Sequence, residues 1–88
     1  MRQPPEFFGE EDLALIYVAK KLKESLRLEE QLTEAGFDFL VEPDTYLGGV
    51  VFRSERVGAF FYVAPADEEK ARAALERLGY RPFVGQAP

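Results

Sequence analysis

Residues 58–64, GAFFYVA, are the run that most narrows the fold. They lack polar alternation, and Phe60, Phe61 and Tyr62 follow one another without a break. Side chains alternate across a strand, so Phe60 and Tyr62 share one face while Phe61 and Val63 share the other. A strand apolar on both sides belongs in the middle of a sheet. One face is expected to meet helices. The other must meet the N-terminal residues or a second subunit, because left open it would be an exposed apolar patch.

The surrounding segments supply partners for that strand. Residues 13–18 (LALIYV) read as a strand, since Ile16, Tyr17 and Val18 fall together with no polar face beside them. A rival reading runs one helix from Glu10 to Ala35. Residues 21–35 read as a helix, with Leu22, Leu26, Leu28, Leu32 and Ala35 as its apolar face and Gly36 closing it. Residues 37–42 read as a strand with Phe37, Phe39 and Val41 on one face, stopped at Pro43-Asp44. Residues 49–53 and 58–63 then read as strand segments joined by Ser54-Glu55-Arg56. Pro65 opens a second helix, whose inner face is Ala71, Ala74, Leu75 and Leu78 and whose cap is Gly79. Residues 80–84 read as a short edge strand, because they contain Pro82.

This order implies a single α+β domain over residues 12–85, a ferredoxin-like split β-α-β sandwich with two helices on one face of a mainly antiparallel sheet and an extra hairpin strand. Residues 1–11 are expected as a flexible arm and 86–88 as a tail. In that arrangement Lys20 and Lys21 neighbour the insertion at 44–56.

The helix-to-strand stretch ESLRLEEQLTEAGFDFLVE, a glycine-bearing loop, and FFYVAPADEEKARAALERLG together resemble a family of small bacterial domains described as signal-transducing proteins. The likeness covers roughly residues 16–78 and rests on core and cap positions. It implies an architecture like that of nitrogen-regulatory PII-type proteins and carries over no ligand-binding residue. The chain departs from the family pattern at the start of its first helix, which has no polar N-cap, and in the insertion at 46–57.

Composition removes several function classes. The chain has no histidine and no cysteine, so Ser–His and Cys–His nucleophilic machinery and thiolate metal sites cannot be assembled from it. The net charge of −5 disfavours nucleic acid as a partner. No run approaches the roughly 20 apolar residues that span a bilayer. A cytoplasmic, non-catalytic protein without a cofactor or metal is expected.

Two candidate surfaces remain. Lys20, Lys21, Arg53 and Arg56 could hold an anion, the arginines through bidentate contacts. Their plainer role is pairing with Glu24, Glu42, Asp44 or Glu55. Phe7, Phe8, Tyr46, Gly48, Gly49 and Phe61 could form an interaction surface, although a glycine pair is more often a turn and a strand aromatic is more often core. The leading expectation is a regulatory or interaction module acting as a homodimer or on a protein partner. An anionic-ligand sensor is the alternative.

Overall fold

The computed structural model describes residues 1–48 and 54–85. Three antiparallel strands and two helices make a small α+β structure: β1 (Ala14–Ala19), α1 (Leu22–Glu34), β2 (Leu40–Gly48), β3 (Ser54–Val63) and α2 (Glu68–Arg77). The sheet order is β1-β3-β2. The aromatic run therefore lies in the central strand, as its two apolar faces require. Leu28 and Leu32 of α1 and Ala71 and Leu75 of α2 form one buried cluster with Ile16, Phe39, Val41, Phe61 and Val63. Both helices thus lie on the same side of the sheet.

The first helix divides its leucines. Leu28 and Leu32 are buried, whereas Leu22 is 75% and Leu26 is 56% exposed. Successive residues turn by about 100°, so Leu26 and Leu28 stand about 200° apart on the helix. The apolar face expected from sequence is two stripes, and only one meets the core. Leu78 is likewise 40% exposed rather than inward.

The hairpin is longer than expected, and residues 54–56 are strand rather than its loop. Strand β2 runs through Pro43 to Gly48, with pairing from Leu40↔Tyr62 to Gly48↔Ser54. Pro43 does not stop the strand, for a reason visible in the edge hydrogen bonds. Phe39 spends its N–H and C=O on residues 1–3, outside the sheet. Backbone groups alternate in direction along a strand, so Pro43 also faces outward and its missing N–H costs no ladder bond. The strand expected at 49–53 lies outside the described residues.

The last expected strand does not form. Residues 80–84 lie beside β1, with one backbone bond from Phe83 N–H to Ile16 C=O at 2.7 Å. Pro82 removes a donor, and Arg72 of α2 takes acceptors that a ladder would use. Its guanidinium donates to Phe83 C=O at 2.5 Å and Leu15 C=O at 3.1 Å, and pairs with Glu68 at 3.0 Å. The register of β1 against β3 slips between Leu15 and Tyr17. This bulge lets both Ile16 and Tyr17 pack with the helix-side cluster.

Residues 1–11 are docked rather than loose. Arg2 bridges Phe39 in parallel, and Gln3 N–H bonds Phe39 C=O at 2.8 Å. The Gln3 amide also donates to Asp38 at 3.1 Å. That bond, together with the Met1 ammonium, holds the Asp38 carboxyl below its usual range. The chain then crosses from the β2 edge to the β1 edge through a 3-10 turn, Pro5–Phe8. Leu15, Leu40 and Phe60 point away from the helices, yet each is at most 6% exposed. Phe8 of the arm is also buried and stands outside the helix-side cluster. Pro4 and Pro5 line a depression with Leu40, so the arm lies over part of the second sheet face.

Candidate functional site

Beyond Ala19 the first strand ends, and the β2–β3 hairpin continues without it. The start of α1 and this extension enclose an open groove of about 400 Å³. Its apolar wall includes Leu22, Leu26, Pro43 and Val57. Val57 is 67% exposed, so three of the exposed large apolar side chains meet in one depression. Arg2, Lys20, Lys21 and Glu29 also line the groove. Arg2 is held by Glu29 at 3.5 Å and by Val41 C=O at 3.4 Å. No ion pair to Lys20 or Lys21 occurs among the described residues. In a chain of net charge −5, this rim is a basic exception.

Of the expected anion set, the structure gathers part. Lys20 Nζ stands 5.4 Å from the centroid of the Tyr46 ring, a cation–π geometry. Arg56 is the cross-strand partner of Tyr46 and shares its face. Lys20 and Arg56 therefore flank one ring on the second sheet face, while Lys21 is the N-cap position of α1. Arg53 lies outside the described residues. The neighbourhood of Lys20 and Lys21 with the hairpin agrees with the sequence reading.

The expected interaction surface fares differently. Phe61 is fully buried under the helices, and Phe8 is also buried, so neither is a surface residue. Phe7 is 54% exposed and meets Phe8 edge to face at 5.0 Å. Tyr46 is half-buried, Gly48 pairs with Ser54, and Gly49 lies outside the described residues.

The glycine that permits close approach is Gly58. A Cβ there would lie 3.1 Å from Ala19 O and 3.1 Å from the Tyr46 ring. Its signal in the sequence was weak, since only the register places Tyr46 diagonal to it. Nothing in the local sequence marks Arg2 or Arg72, because their partners include carbonyl groups far along the chain.

Among the described residues, three groups have shifted titration. Burial, followed by the hydrogen-bonded Glu24 carboxylate and Tyr80, pushes Tyr17 up to about 12. Burial, then Asp44 and Glu42, raises Tyr62. Asp38 is lowered as described above. Among the described residues no cluster of three or more carboxylates is placed to hold a metal ion. No described helix is long and apolar enough to cross a membrane.

No protein-family model, no curated protein and no solved structure matches this chain. The assignment of function therefore rests on the groove and its rim.

Proposed function

We propose that this chain is a non-catalytic docking module, whose groove between α1 and the β2–β3 extension receives an apolar, acidic-flanked segment of a partner protein. One observation carries this reading. Leu22, Leu26 and Val57 are exposed together in a single depression rimmed by lysines. Solvated leucines at adjacent turns are unfavourable unless something covers them at least part of the time. Electrostatic complementarity then selects a partner with carboxylates. The buried Leu15, Leu40 and Phe60 of the second sheet face already have cover within the chain, which weakens the motive for a homodimer through that face. Self-association would have to use the groove.

The layout β1-β3-β2 with residues 80–84 beside β1 is consistent with a ferredoxin-like split β-α-β arrangement whose last strand has frayed. Kinship with the small bacterial signal-transducing domains, and a cytoplasmic setting, belong to the same proposal. A second reading as an anion sensor draws on Lys20 and Arg56 converging on Tyr46.

Peptide display on the immobilised chain tests the docking reading, with a Leu22→Ser/Leu26→Ser variant as counter-selection. Enriched sequences should combine apolar residues with Asp or Glu and should lose binding to the variant. Enrichment indifferent to Leu22 and Leu26 would refute it. Thermal stabilisation by small anions such as inorganic phosphate, lost in Arg56→Ala, would instead favour the sensor.

A further inference from the structure

The sheet has two outer edges, and each carries blunting devices. On β2, Phe39 is bonded to residues 1–3, Val41 C=O accepts from Arg2, Pro43 has no N–H, and Thr45 N–H is taken by the Asp44 carboxylate at 2.8 Å. On β1, Leu15 C=O accepts from Arg72 and Ile16 C=O accepts from Phe83. Such devices keep a sheet from adding foreign strands.

Among the described residues, the central strand also has a stretch of edge without them. β3 pairs with β1 only up to Ala59↔Ala19, so residues 54–58 have no neighbour on that side among the described residues. The direction of their backbone groups follows from β2. Phe39 and Val41 face outward, so Leu40, Glu42, Asp44, Tyr46 and Gly48 face β3, and their partners Ser54, Arg56 and Gly58 face back. Glu55 and Val57 therefore turn their N–H and C=O groups to the open side. Val57 also presents its side chain to the groove.

We infer that this edge is a strand-addition site, and that the segment proposed above docks as a short extended strand in line with β1. This rests on the docking reading and specifies its mode. A strand in that position places alternate side chains on opposite faces. One set falls into the groove against Leu22 and Val57, and the other lies beside Lys20, Tyr46 and Arg56. The ligand is therefore an amphipathic strand, apolar at one parity and Asp or Glu at the other. Backbone bonds to Glu55 and Val57 supply affinity, and the two faces supply specificity.

A capped hexapeptide of alternating Val and Glu is the probe. Two further versions carry N-methyl groups on the Val amides or on the Glu amides. Binding of the parent should slow exchange of the Val57 amide, followed by NMR. One N-methylated version should bind like the parent, and the other should fail, since only one set of amides faces β3. Reversing Lys20 or Arg56 to Glu should weaken the parent by up to about fivefold each. No binding of the parent, or equal binding of all three versions, overturns strand addition. Binding that needs Leu22 but leaves Val57 exchange unchanged also overturns it, while leaving the groove as a docking site.

Discussion

Arg72 shows how one side chain can stand in for a strand. Its guanidinium reaches Leu15 C=O, Phe83 C=O and Glu68, and so ties residues 80–84 to β1 where Pro82 prevents a ladder. Hydrogen bonds from a charged donor are worth about 1.5–3 kcal/mol. Arg72→Ala should therefore lower stability in urea unfolding by about 2 kcal/mol. Arg72→Lys should recover only part of that, because a point charge cannot reach two carbonyls in a fixed fork. Gly58 is a second case. The Ala19 carbonyl and the Tyr46 ring occupy the space of its side chain, so Gly58→Val should cost about 1–3 kcal/mol and disturb the Lys20–Tyr46 contact. Tyr17 gives a pH signature. Its folded pKa is raised to about 12, so the unfolded chain ionises first as pH rises past 10. Its contribution is whole below pH 10 and fades between pH 10 and 12. Stability measured across that window should fall, and Tyr17→Phe should flatten part of the fall.

Among the elements, the arm gives the sharpest contrast. Phe7 and Phe8 are adjacent and chemically identical, yet only Phe8 is buried. Phe8→Ala should cost about 3 kcal/mol in urea unfolding, and Phe7→Ala under about 1 kcal/mol. Equal costs would mean that the arm does not dock through Phe8. Both helices were legible from their apolar spacing and the caps Gly36 and Gly79, and the strand expected at 13–18 (found at 14–19) and the two-faced central strand from their unbroken apolar runs. That the second face would need cover from the arm or from a partner was also legible. Pro43 misled because the outward direction of its missing N–H depends on register, which local sequence does not encode. Leu22 and Leu26 misled because a leucine-rich helix offers two stripes, and only tertiary packing decides which is buried. Phe61 looked like surface only if the face carrying it was the open one.

At the scale of the molecule, these features leave a region unfinished among the described residues. Helices pack on one sheet face, the arm lies over part of the other, and both outer edges carry blunting contacts. What remains is the β3 edge at residues 55 and 57 with the apolar groove beside it, in a basic setting on an acidic protein. Native-state amide exchange on the isolated chain tests this most directly, because neighbouring residues of one strand differ only in the direction of their N–H groups. The amides of Arg56 and Gly58, bonded to β2, should exchange slowly, while the Val57 amide between them should exchange fast. A Val57 amide as protected as its two neighbours would contradict an open edge.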